Sequence, residues 1–336
     1  MSSRKAGPRW LTIWRPTACS TSGGHGVGPG IRRFMTPPFV KGCTKNDATG
    51  PGTLPRPRAG CRPRFLETCW NCRGRYYNPQ KGAKPVKPNV REQFGRAAEL
   101  YAVSRVHAQG RDLGIIVQLA RPQAGDLVLD VSTGAGHTAL ALAPHVSRVV
   151  AADITPEMLA VARRLAAGRG LANVEFCQAD VRALPFAGAS FDIVTCRTAA
   201  HHYPQLAEAV REMVRVLRPG GRLIVSDTVA PDDEVADRFI NAVETLRDPT
   251  HVRDWSLAEW QAALAGAGLK LEAVEQLDLE LDFGSWVERS GTPPELQEVL
   301  ALMLTQAPAR LRAIFKVRAD PLRFCLPKAV FRAVRV

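Results

Sequence analysis

The sequence predicts an α/β protein built on a parallel, doubly wound sheet, and three observations carry that prediction. Residues 127–160 read as a β-α-β unit: an apolar strand, Leu127 to Val131, enters the glycine turn Thr133-Gly134-Ala135-Gly136, an apolar helix follows, and a second strand from Arg148 to Ala152 ends on Asp153. Strand and helix then alternate as far as residue 227. Right-handed crossovers between such strands bring their C-termini, and with them any site, to one edge of the sheet. Beyond 227 the alternation gives way to helices with clear start signals, set between two strand-like segments.

The unit at 127–160 is shaped to hold a nucleoside. Glycines let backbone approach a ligand because no Cβ stands in the way, and the free N–H groups of the next helix face the same space. Asp153, 23 positions after Asp130, stands at the tip of the second strand, where a carboxylate accepts hydrogen bonds from a ribose diol. Gly134-x-Gly136-x-x-Ala139 also fits a dinucleotide fingerprint, which keeps NAD and FAD in view. Asp130 weighs against them: an acid at the end of the first strand repels a pyrophosphate and tolerates a positively charged ligand.

These residues resemble the class I methyltransferases that use S-adenosylmethionine (SAM), whose first motif is an acid followed by a glycine-rich turn. The resemblance continues in order. Val174 to Asp180, followed by Leu184-Pro185-Phe186, is similar to the family's third strand and adenine-binding acid; Ser190 to Val194 is similar to its fourth strand; Leu217-Arg218-Pro219-Gly220-Gly221-Arg222-Leu223 is similar to the turn into its fifth. The group most resembled is that of the ubiquinone and menaquinone biosynthesis C-methyltransferases. The resemblance implies a Rossmann-like, mostly parallel sheet with an antiparallel last strand, and helices inserted as a lid over the acceptor at residues 229–250 and 283–318. It implies SAM contacts from Asp130, Ser132, Thr133, Gly134 and Gly136 at the turn, from Asp153, Ile154 and Met158 after the second strand, and from Asp180 and Val181 after the third. Where the family usually has glycine this chain has Ser132. Its side chain either crowds the cofactor or bonds the cofactor's carboxylate, and the second reading is preferred.

The remaining elements follow from local pattern. Residues 90–121 read as two helices, the first with Phe94, Ala97, Ala98 and Tyr101 on one face. In the resembled family such helices cover the cofactor, so Tyr101 is either a hydroxyl aimed at its carboxylate or a packed helix tyrosine. Thr155-Pro156-Glu157 opens the next helix with a cap residue and a proline in the first turn; Met158 on its inward face either touches adenine or serves only the core. Leu206, Val210, Met213, Val214 and Leu217 form a helical stripe closed by Pro219-Gly220-Gly221. Val235, Phe239, Ile240, Val243 and Leu246 mark another helix. Ser256 with Glu259, and Thr292 with Glu295, spell two capping boxes. Leu269 to Phe283 alternates like a strand, and Ala329 to Val336 supplies the last one.

Charge divides the chain sharply. The net charge is +13, yet residues 1–89 carry 17 Lys and Arg against Asp47 and Glu67, a net of +15, and the rest carries −2. The near-neutral part argues against nucleic acid as a partner. The leader holds 12 of the 25 prolines and 12 of the 27 glycines without sustained periodicity, the composition of a disordered basic extension or of translated upstream sequence joined to a domain at 90–336. It has no apolar segment fit for a signal peptide or membrane span. Cys69-Trp70-Asn71-Cys72 with Cys61 is half of a zinc pattern without its second half, so no metal is expected. Cys177, Cys196 and Cys325 are scattered over the rest, which suits a reducing, cytoplasmic setting.

The stretch after the fourth strand, Cys196 to Pro204, lies where donor and acceptor meet. His201 and His202 titrate near neutrality, and either is a candidate base or a brace for the loop. Arg197 pairs with an anionic acceptor, with the cofactor's carboxylate, or with a surface acid; Asp227 is a second polar contact or a cap. The expected activity is SAM-dependent methyl transfer to a small, partly apolar molecule. The alternatives are an NAD-dependent oxidoreductase and a non-catalytic regulator that binds SAM or nucleic acid.

Overall fold

The computed structural model describes residues 89–336. The expectations for the basic leader and for Cys61, Cys69 and Cys72 lie outside those residues.

Instead of two leading helices there are three: α1 (Val90–Val103), α2 (Arg105–Ala108) and α3 (Arg111–Ala120). The chain breaks at Ser104, whose hydroxyl turns to His107 Nδ1 at 2.8 Å, and at Gly110. A Cβ on Gly110 would collide with the Val106 carbonyl and the Asp112 carboxylate, so only glycine fits there. The α/β repeat then runs β1 (Leu127–Val131), α4 (His137–Leu142), β2 (Arg148–Asp153), α5 (Pro156–Gly168), β3 (Val174–Gln178), β4 (Phe191–Arg197), α6 (Leu206–Val216) and β5 (Leu217–Thr228). The stripe of α6 is buried as its spacing demands. Pro219-Gly220-Gly221 does not close the helix, however; it lies inside β5, where the pairing with β4 shifts register between Phe191 and Ile193.

The last third holds α7 (Glu234–Arg247), α8 (Leu257–Gly266), β6 (Leu269–Asp282), α9 (Phe283–Ser290), α10 (Pro294–Thr305), α11 (Ala309–Ile314), β7 (Arg318–Ala319) and β8 (Leu322–Arg335). The capping box of Ser256 and Glu259 forms. That of Thr292 and Glu295 does not: Pro293 takes the cap position, and the Thr292 hydroxyl donates to the Arg247 carbonyl at 3.0 Å.

The strands form one sheet in the order β3-β2-β1-β4-β5-β8-β6, with β7 paired to β8. Neighbours from β3 to β5 are parallel, and β8 is antiparallel to both β5 and β6. The last strand begins seven residues earlier than its apolar pattern suggests. Pro327 and Lys328 interrupt that pattern, and proline lacks the N–H a strand interior needs. Pro327 nevertheless pairs with Asp278, and the ribbon of β6 and β8 continues outward to Asp282 and Arg323.

Each face of the sheet has its own core. Met213, Trp260 and Phe331 pack on one side, and Ile116, Leu140 and Ile224 on the other. The projecting ribbon carries a third cluster, in which Ile240 of α7, Trp286 of α9, Leu300 of α10 and Phe315 meet Phe324 of β8. Each of these large side chains removed from water is worth about 1.5–3 kcal/mol. A small fourth cluster joins Ala98 of α1 to Ala135 of the glycine turn and to Met158 and Val161 of α5. The first helix is thereby fastened over the turn. Among the described residues no helix is long and apolar enough to cross a membrane.

Candidate active site

The glycine turn is held by two carboxylates with different tasks. Asp130, at the end of β1, is 1% exposed and accepts from the Thr133 hydroxyl at 2.5 Å, the Thr195 hydroxyl at 2.6 Å and the Ala139 N–H at 3.1 Å. Burial raises its pKa to about 6 in spite of those bonds. It braces the turn against β4 and the start of α4. Asp153, at the end of β2, accepts from Gly134 N–H through Oδ2 and from Thr155 N–H through Oδ1, both at 2.8 Å. Burial raises its pKa too, and the backbone donors oppose that rise. The backbone adopts positive φ at Ser132, Gly134 and Gly136. A Cβ on Gly134 would meet nothing within 4 Å, whereas one on Gly136 would come within 2.9 Å of Ala162 Cβ. Gly134 therefore leaves open space, and Gly136 allows α4 and α5 to approach.

A cavity of about 270 Å³ opens beside this turn, near the lower end of the usual range for small-molecule sites. Every residue expected around the cofactor lines it except Gly136, which packs behind. Lining a cavity is not the same as offering a free group. Arg197 is committed elsewhere: its buried guanidinium grips Asp112 at 2.7 and 2.8 Å and donates to the carbonyls of His107 and Val106. The acid it pairs with is the buried Asp112, not one on the surface. The Ser132 hydroxyl meets the Tyr203 hydroxyl at 2.7 Å, and Tyr203 also approaches Cys196 Sγ at 3.3 Å. Asp180 is held by Arg182, whose guanidinium lowers the carboxyl's pKa. Met158 is both 2% exposed and on the cavity wall, so its core and site readings coincide.

His201 and His202 form a single helical turn after β4. The turn is pinned by Val252 and Arg253 N–H groups on the His201 carbonyl and by Trp255 Nε1 on the Ala200 carbonyl. The two imidazoles have opposite electrostatics. His201 Nδ1 meets Asp227 Oδ1 at 2.7 Å, and Asp227 Oδ2 also accepts the His201 N–H. Burial disfavours the charged ring, but Asp227 outweighs it and lifts the pKa to about 9. Asp227 is thus the partner of His201 rather than merely a cap. For His202, burial and the charge of its neighbour both hold the pKa well below the usual value. The Thr250 hydroxyl donates to Asp248 at 2.6 Å, so toward His202 Nδ1, at 3.2 Å, it acts as an acceptor. His202 therefore carries its proton on Nδ1 and a lone pair on Nε2. Phe94 of α1 packs edge-on against this ring at 4.9 Å.

A second cavity, of about 50 Å³, opens toward α7 and α9. It shares Phe94, Tyr101, His107, Thr198 and His202 with the larger one. Tyr101 stands in this common wall and bonds Arg289. His201 lines only the smaller cavity. Reading the sequence misses Tyr203, Thr250, Asp112, Arg247 and Arg289, all of which depend on contacts between distant segments. Among the described residues no group of His, Cys, Asp and Glu is arranged to hold a metal ion.

Comparison with known proteins gives consistent results. A family profile described as a methyltransferase domain matches residues 129–225. The uncharacterized methyltransferase YcgJ of Bacillus subtilis is 39% identical over 246 residues, spanning 72% of this chain and 97% of YcgJ. The crystal structure of YcgJ superposes with a TM-score of 0.64, covering 66% of this chain and 97% of that one. The ubiquinone/menaquinone biosynthesis C-methyltransferase UbiE of Pseudomonas putida is 38% identical over 130 residues, 38% of this chain and 51% of UbiE.

Proposed function

The chain belongs to the class I SAM-dependent methyltransferases, and from that premise we propose that it binds SAM in the larger cavity and methylates a small, partly apolar molecule held against the helical lid. The observation that carries this reading is the common wall: one cavity shaped by the glycine turn and Asp153 meets another beneath α7 and α9 at His202. Residues 229–250 and 283–318 are the lid in this reading, and the chain works in the cytoplasm, which the three free cysteines among the described residues suit.

The residues fit the cofactor. Asp153 accepts the Gly134 and Thr155 N–H groups and still lines the cavity, where its carboxylate is within reach of a ribose hydroxyl. The open space at Gly134 admits a ligand that any larger side chain would displace. Asp180 and Val181 stand at the adenine end, and Tyr101, Ser132 and Thr133 at the other. When bound, SAM would supply an electrophilic methyl group, which an acceptor atom attacks in line as S-adenosylhomocysteine leaves with the sulfur's electron pair.

The rest is done by the chain. Phe94 and Tyr101 of α1 exclude water from the common wall, so that alignment of the acceptor is not lost to solvent. His202 receives the acceptor's proton at Nε2, because Thr250 keeps the other nitrogen protonated. His201, held charged by Asp227, is no base near neutrality; it fixes the turn and keeps its neighbour neutral. Calorimetry tests the proposal: S-adenosylhomocysteine should bind one to one and NADH should not. The reverse preference would mean a redox enzyme.

A further inference from the structure

We propose that the smaller cavity receives a carboxylate carried by the methyl acceptor, clasped between the guanidinium groups of Arg247 and Arg289. The inference rests on reading this cavity as the acceptor side of a methyltransferase, and it narrows the acceptor to an organic acid.

Arg247 ends α7 and is 8% exposed. Its Nε donates to the Trp286 carbonyl at 3.1 Å, its Nη1 to Glu244 Oε2 at 3.2 Å, and the guanidinium lies 5.1 Å over the Trp286 ring. Its Nη2 is buried without a partner. Arg289, in the last turn of α9, bonds the Tyr101 hydroxyl, and its Nε is likewise buried without a partner. Among the described residues no carboxylate lies within ion-pair distance of Arg289. Both side chains line the cavity.

Unpaired donors on a buried guanidinium are costly to leave unmade. Arginine presents its N–H groups as a planar fork matched to carboxylate oxygens, and two such forks converge on one small space. Water alone satisfies the donors but does not neutralise the charge. The room, about 50 Å³, holds a few waters or one group of carboxylate size.

The other charges on this wall are already matched. Lys328 Nζ bonds Asp112 and the Thr198 hydroxyl. His201 faces Asp227. Glu244 pairs with Arg247, and the buried Asp248 adds to that side of the balance; among the described residues Arg289 itself has no carboxylate at ion-pair distance. Glu244 Oε1 is a further unpartnered atom, an acceptor for an O–H or N–H on the same ligand. An acid anchored here extends toward His202 and the common wall, which places its reacting atom at the cofactor.

The test uses the full chain saturated with S-adenosylhomocysteine and two matched pairs of probes: benzoate with benzamide, and phenylacetate with phenylacetamide. At least one acid should bind tenfold or more tightly than its amide, the difference a charge-assisted bond makes. Arg289→Met should abolish that preference, Arg289→Lys should restore part of it, and S-adenosylhomocysteine affinity should stay within twofold in both. The proposal is overturned if neither acid outbinds its amide, or if the preference survives in both Arg289→Met and Arg247→Met. Failure of the unmodified chain to bind S-adenosylhomocysteine would instead overturn the methyltransferase reading beneath it.

Discussion

The two halves of the site are made in different ways. The cofactor side is backbone architecture: a turn between β1 and α4, braced by Asp130 and Asp153, which accept the N–H groups of Ala139, Gly134 and Thr155. The acceptor side is assembled from side chains: Phe94 and Tyr101 from α1, His202 after β4, Arg247 from α7, Arg289 from α9 and Lys328 from β8. A backbone site tolerates most changes around it and depends on a few glycines and acids. A side-chain site depends on residues brought together from distant segments, and each exchange there alters both chemistry and stability. The difference explains how one cofactor platform serves many acceptors.

Three changes would break or sharpen this contrast, from the largest expected effect to the smallest. Asp112 binds Arg197 and Lys328 and accepts from Ser226, joining α3 to β4, β5 and β8 beneath the acceptor side. Asp112→Asn leaves two buried cations poorly compensated and should destabilise the fold by about 3–5 kcal/mol. Urea unfolding checks this, and a loss below about 1 kcal/mol would show that the network is not structural. Next, the raised pKa of His201 ties stability to pH. Because the folded-state value lies above the unfolded one, its contribution is complete below ~6.5 and disappears as pH rises through about 9. Its size is on the order of 3 kcal/mol. The melting temperature should fall across that window, and Asp227→Asn should flatten the dependence; an unaltered slope in that variant would contradict the pairing. His202→Ala should lower kcat by about a hundredfold while cofactor affinity holds. In the unmodified enzyme the rate should stay level as pH drops through ~6.5 and decline only in more acid solution, because His202 is held well below its usual pKa. A midpoint near 6.5, or a near-normal rate in the variant, would remove it as the base.

The same contrast governs what could be read in the sequence. The β-α-β unit, the order of motifs and the capping box at Ser256 depend on neighbours within a few positions, so their spacing reveals them. The cavity at the turn was legible for this reason. The break at Gly110 was not, because only the folded turn shows that a Cβ there would meet the Val106 carbonyl, the Asp112 carboxylate and the Arg197 guanidinium. The early start of β8 was hidden because Pro327 and Lys328 look like a strand's end until Lys328 is seen bonding Asp112 and Thr198. Arg197 was legible as an anion-binding residue, but its buried partner Asp112 was not, since that acid lies 85 residues away. Adjacent histidines cannot be told apart by pattern; Asp227 and Thr250 separate them.

The claim at the centre is that Asp153 and the glycine turn hold the nucleoside end of SAM, and the affinity of Asp153→Ala for S-adenosylhomocysteine tests it most directly. Asp153 is the acid whose lone pairs face the cavity from a backbone-fixed position. Calorimetry on the folded variant should show binding weakened by at least ~1.5 kcal/mol, the value of a charge-assisted hydrogen bond. Affinity equal to that of the unmodified chain would contradict the assignment and place the cofactor elsewhere.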